Sequence, residues 1–70
     1  MMLEVEERWT HIIHQVMYIV DLVSLKESEE YLVRTMVGSG PEVILYHGSD
    51  KTTARSNFAY AIRHFSYTTR

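Results

Sequence analysis

From position 51 onward, apolar side chains recur at Ala54, Phe58, Ala61, Ile62 and Phe65, while Lys51, Thr52, Arg55, Ser56 and Arg63 fall between them. That spacing lays an apolar face along a 3.6-residue period, and Gly48-Ser49-Asp50 ahead of it offers a loop and an N-cap. The pattern predicts a helix over about 50–66, followed by a tail, 66–70, that frays or adds a short extended end.

The preceding segments have a different rhythm. Residues 41–47 form a short apolar run bounded by glycines, and 31–37 alternate, with β-branched Val33, Thr35 and Val37 on one side. Gly38-Ser39-Gly40-Pro41 between them is turn chemistry, so the two runs read as a hairpin feeding directly into the helix. A helix over 28–37 capped by Gly38 competes with this reading, and the alternation of β-branched residues disfavours it.

Between Trp9 and Ser24 two periods overlap. Trp9, Ile12, Ile13, Val16, Met17, Val20 and Val23 fit a helical stripe, whereas Ile12, His14, Val16, Tyr18, Val20 and Leu22 fit one face of a strand. The crowding of Val, Ile and Tyr favours a strand over about 14–24, with 25–30 as its polar connection to the next. The acidic start, 3–13, admits a short helix or an additional strand.

These elements assemble into one α+β domain spanning 1–70: a three-stranded antiparallel β-meander with a C-terminal helix packed on one face, and room for a short N-terminal helix. Within the strands, Tyr31, Val33, Thr35 and Val37 oppose Leu32, Arg34 and Met36, while Val43, Leu45 and His47 oppose Ile44 and Tyr46. Both faces therefore carry apolar groups, and a single helix covers only one. The second face is expected to meet the N-terminal segment, a second copy of the chain or another protein. Burying even three such side chains is worth about 5 to 8 kcal/mol by area, as an upper bound.

Composition narrows the class. The chain has 70 residues, no cysteine and 46% apolar content, so it has no disulfide framework and no cysteine-based zinc site, and a core this small commonly gains stability by oligomerising. The acidic start is unlike a signal or transit peptide, and the apolar stretch 12–23 is interrupted by His14, Gln15 and Asp21, well short of a membrane span. A cytoplasmic location is the corresponding expectation. Charge is unevenly placed. Glu4, Glu6, Glu7, Asp21, Glu27, Glu29 and Glu30 outweigh Arg8 and Lys26 over residues 1–30, whereas the last twenty positions hold Lys51, Arg55, Arg63 and Arg70 with no acid. The halves are expected to compensate within the fold or across a dimer.

Candidate chemistry is sparse. His11 and His14, three apart, would reach a common metal only from a helix; on a strand they point to opposite faces, so no metal or other cofactor is expected. Ser49 lies two residues from His47, but Gly48-Ser49-Asp50 is explained by a strand exit and a helix cap, and no nucleophile elbow surrounds it. The same helix start offers backbone N–H groups to an anion. The expectation is a chain without enzymatic chemistry.

Recognition is the remaining class. Lys51, Arg55, Arg63 and Arg70, with Tyr60 and Tyr67 interleaved, are the groups a nucleic acid would need, although the chain as a whole is acidic, with a net charge of −2. For protein partners, Trp9, Tyr46, Arg55, Tyr60 and Arg63 are the expected contacts, being large or cationic groups of the kinds enriched at binding hot spots. In size and style, a short meander and one helix with no catalytic signature, the chain resembles the small orphan inhibitors of phages and mobile elements, including anti-CRISPR and host-takeover proteins. The two apolar sheet faces lead to the expectation of a homodimeric interaction module, and the resemblance implies that it binds and blocks a host protein; a small nucleic-acid-binding protein is the alternative.

Overall fold

The computed structural model describes residues 3–68, with side chains through 66. Four strands run in chain order, β1 (Leu3–Ile13), β2 (Val16–Leu25), β3 (Glu30–Val37) and β4 (Val43–Gly48), and the helix α1 (Lys51–Thr68) follows. Every neighbouring pair is antiparallel, giving an uninterrupted meander with β1 and β4 at its edges. The class is the expected α+β with a C-terminal helix on the sheet, but the sheet has four strands rather than three. The segment 3–13 is the additional strand, not a short helix.

The fourth strand was hidden by a turn with no turn signature. Between β1 and β2 only His14 and Gln15 intervene, and both adopt positive φ, 49° and 66°. This is the two-residue geometry that matches the twist of a hairpin and normally calls for Asn-Gly or Asp-Gly. With neither residue present, the sequence runs from Trp9 to Ser24 without punctuation. The long β1–β2 ladder, from Leu3↔Leu25 to Ile13↔Val16, holds the unfavourable turn in place. The β3–β4 connection behaves as expected: Gly38 takes φ 60° and donates its N–H to the Met17 carbonyl at 2.8 Å.

Helix α1 begins where its cap predicts. Asp50 Oδ1 accepts the N–H groups of Thr52 at 2.9 Å and Thr53 at 3.2 Å, and Oδ2 accepts the Thr53 hydroxyl at 2.9 Å. These bonds hold the Asp50 carboxyl below its ordinary value of 3.8. They also occupy the backbone donors considered above for an anion. The Asp50 N–H is donated to the Tyr46 hydroxyl at 3.2 Å, tying the helix start back to β4. A Cβ at Gly48 would stand 2.6 Å from that hydroxyl, so the tie needs glycine there. The helix continues to Thr68, past the end expected for it.

The core lies between α1 and one face of the sheet. Val20, Leu22 and Val33 meet Ala54, Phe58 and Ala61, none of them more than 9% exposed, and Trp9, Tyr31, Tyr46, Ile62 and Phe65 close the margins. Trp9 stacks on Phe65 with centroids 6.3 Å apart and 9° between the planes, and Tyr18 meets the same ring at 5.2 Å. Charge pairs flank this layer: Lys51 Nζ stands 3.7 Å from Glu6 and Arg55 Nη1 3.2 Å from Glu7. The acidic first strand and the basic helix thus compensate within the fold.

Two bulges set which residues reach which face. On β1 the register shifts between Val5 and Glu7, so Leu3 and Val5 share the face of Val23 and Leu25, while Glu7 and Trp9 share that of Leu22 and Val20. On β4 the register shifts at Leu45. Val43 and Tyr46 pair with Thr35 and Val33 on the helix side, whereas Ile44 and His47 pair with Arg34 and Leu32 on the other. Simple alternation puts Tyr46 with Ile44 and His47 with Val43; the bulge separates both pairs.

Candidate functional site

The face opposite α1 is the first unexplained surface. β1 lies within the sheet rather than across it, so neither the N-terminal strand nor the helix covers this side. Its centre is a row of charges, one on each of the first three strands, with Glu42 just before β4. Asp21, with no solvent exposure, sits directly between Arg8 on β1 and Arg34 on β3. Arg8 grips both carboxylate oxygens, Nε to Oδ1 at 2.7 Å and Nη2 to Oδ2 at 2.9 Å, and Arg34 Nε donates to Oδ2 at 3.0 Å. Arg34 Nη1 reaches on to Glu42 Oε2 at 3.2 Å, beside the start of β4. The row reads plus, minus, plus from β1 to β3, and the β4 residue in register with it is Ile44.

Burial alone would raise the Asp21 carboxyl; the two guanidinium groups, Arg8 foremost, win and hold it below its ordinary value of 3.8. The group is a fixed anion at neutral pH with its lone pairs committed, which suits an ordering role better than proton transfer. Around the row the face is largely apolar. Ile12, Met17, Ile19 and Met36 lie toward one end; toward the other lie Leu3, Val5 and Leu32 with the buried Val23 and Leu25, and the Glu30–His47 pair. Ile12 is 62% exposed and Leu3 54%, so large apolar side chains stand in solvent at both ends of a face whose central carboxylate is fully buried.

The second surface lies at the β4 edge. A cleft of about 390 Å³ opens between α1 and β4, lined by Thr35, Leu45, Asn57, Tyr60, Ala61, His64 and Phe65. Beside it the unpaired edge of β4 carries Val43, Ile44 and Leu45, all exposed. Leu45 is the bulged residue, and the bulge turns it toward the helix and into the cleft wall. Tyr60, 71% exposed, stands at the rim, one helical turn from exposed Arg63.

The expected contact residues separate accordingly. Tyr60 and Arg63 are exposed neighbours, and Arg55 is exposed on the opposite flank of α1, paired with Glu7. Trp9 and Tyr46 are half-buried in the helix-side layer, where one stacks on Phe65 and the other anchors the helix start. Leu45, Asn57 and His64 were not anticipated; the bulge that brings Leu45 to the cleft has no signature in the sequence.

Of the cations proposed for nucleic acid, Lys51 sits against Glu6 and 5.7 Å above the Tyr31 ring, and Arg55 against Glu7. Arg70 and the Tyr67 side chain lie outside the described residues. His11 is on β1 and His14 in the turn, so the helical spacing needed for a shared metal is not formed, and no group of three potential ligands occurs among the described residues. His47, on the face away from α1, lies 3.3 Å from Glu30. Among the described residues no helix is long and apolar enough to cross a membrane.

No family model, no curated protein and no solved structure matches this chain.

Proposed function

We propose that the chain is a non-enzymatic interaction module that binds, and by occupying it blocks, a partner protein of the host cell. An extended segment of the partner adds to the free edge of β4 and sets an apolar side chain into the neighbouring cleft. The observation that carries this reading is the coincidence, on one edge strand, of unpaired backbone groups, three exposed apolar residues and a cleft with an exposed tyrosine at its rim. Main-chain pairing supplies affinity in such an arrangement, and the cleft selects the side chain. Tyr60 and Arg63 are of the residue types that dominate binding energies.

Nucleic-acid binding through α1 is the weaker reading, because Lys51 and Arg55 already face the acids of β1. The test is capture from a lysate of the source cell, with and without nuclease, using the full chain and its Leu45→Lys and Tyr60→Ala variants. The reading requires a stoichiometric, nuclease-resistant partner that both substitutions release. Companions lost on nuclease treatment, or a partner that both variants retain, would reject it.

A further inference from the structure

We infer that the open face of the sheet is the contact between two copies of this chain, related by a two-fold axis that runs parallel to the strands between β2 and β3. The inference is independent of the β4 edge, which this packing leaves free.

The charge row dictates the geometry. Arg8, Asp21 and Arg34 alternate in sign across β1, β2 and β3 on the face away from the helix, β4 sets Ile44 beside Arg34, and the Glu42 carboxylate reaches Arg34 Nη1 from just before β4. Two sheets stacked face to face pack with their strands roughly aligned, which leaves two candidate two-fold axes, along the strands or across them. An axis across the strands keeps the order of the row and sets Arg8 over Arg8 and Asp21 over Asp21, like on like. An axis along the strands reverses the order. Asp21 of one copy then faces Arg34 of the other, and Arg8 faces the β4 edge, where Ile44 stands beside the Glu42–Arg34 pair. Reversal removes every like-on-like charge contact from the row, and only the second axis provides it.

The apolar ends fit the same operation. Rotation about an axis parallel to the strands brings the end holding Ile12, Met17 and Met36 onto the same end of the second copy, apolar against apolar. The opposite end meets its counterpart as well, setting Val23 against Leu32, with the Glu30–His47 pair at its margin. Strand spacing and rise give the face dimensions of about 20 by 30 Å, so two copies bury on the order of 1,000 Å² or more, which reaches the range of specific interfaces. A heterologous partner would have to match the charge row as well as the apolar residues on both sides of it; a second copy meets both conditions by symmetry. The pairs within each chain already satisfy the buried carboxylate, so the row contributes chiefly register and orientation, and the apolar ends contribute affinity.

The test uses sedimentation equilibrium and site-directed crosslinking on the full chain, which contains no cysteine of its own. At tens of micromolar the chain is expected to sediment at twice its 8.2 kDa mass. Met17→Lys, at an exposed position of the open face, is expected to weaken the dimer at least tenfold while keeping the circular dichroism of the parent. With a short bismaleimide, Met36→Cys, close to the axis, should crosslink to its own copy, and Tyr60→Cys, on the helix side, should not. A monomer at these concentrations, a dimer that crosslinks through Tyr60→Cys, or one that crosslinks through neither cysteine, would overturn the assignment.

Discussion

Asp21 and Leu22 are adjacent on β2 and equally shut away from solvent, yet they belong to opposite faces built on different physics. Leu22 is surrounded by Val20, Val33 and the small residues of α1, and that face is closed by packing. Asp21 is closed off by two arginines whose outer parts remain in water, on a face that no other element among the described residues covers. The contrast shows that burial has two meanings in this molecule. On one side it records a finished core; on the other it records a network that orders a surface still available for contact.

Substitutions on either side of β2 separate these meanings. Leu22→Ala is expected to cost the most, about 3 to 4 kcal/mol, because the cavity lies under a helix that cannot collapse into it. For a domain of this size that approaches the whole stability, so the urea midpoint should fall toward zero. Asp21→Ala is expected to cost about 2 to 3 kcal/mol, less than a fully buried pair would, since Arg8 can turn out to solvent. The two losses should also differ in pH dependence. Asp21 titrates below its ordinary value of 3.8 in the folded chain, so its contribution is complete above that pH and is lost as pH falls through the depressed native value. Asp50 behaves in the same sense. The parent should therefore lose stability steeply below about pH 4, and Asp21→Ala should show a shallower acid limb, whereas Leu22→Ala should keep the parental slope. Equal slopes in all three proteins would remove Asp21 from the ordering role.

The smallest effect is a gain. Replacing the turn pair by His14→Asn and Gln15→Gly relieves positive φ at both positions and should raise stability by about 1 kcal/mol, read as a higher urea midpoint. It changes neither face, so oligomeric state should not move with it.

How much of this was legible in the sequence follows from where its signals are local. The helix, its Asp50 cap and the glycine turn before β4 each announce themselves within a few residues, and their spans hold to within a residue or two. That both sheet faces carry apolar groups was also readable from β3 alone. The fourth strand was not, because the turn at His14 and Gln15 is imposed by ladder pairing rather than encoded by its residues. The charge row escaped for a related reason. Arg8, Asp21 and Arg34 are thirteen apart in each step, and only the register of two hairpins aligns them. The contact surface proposed at β4 depends on a bulge at Leu45 that local pattern cannot place, and Trp9 and Tyr46, conspicuous as single residues, pack at the margins of the core.

The claim that one face is complete and the other is finished by a second copy is tested most directly by urea unfolding at protein concentrations spanning two decades. The account predicts a midpoint that rises with concentration for the full chain, because association stabilises only the folded form, and a constant, lower midpoint for Met17→Lys. A midpoint independent of concentration, the same for both proteins, would contradict it.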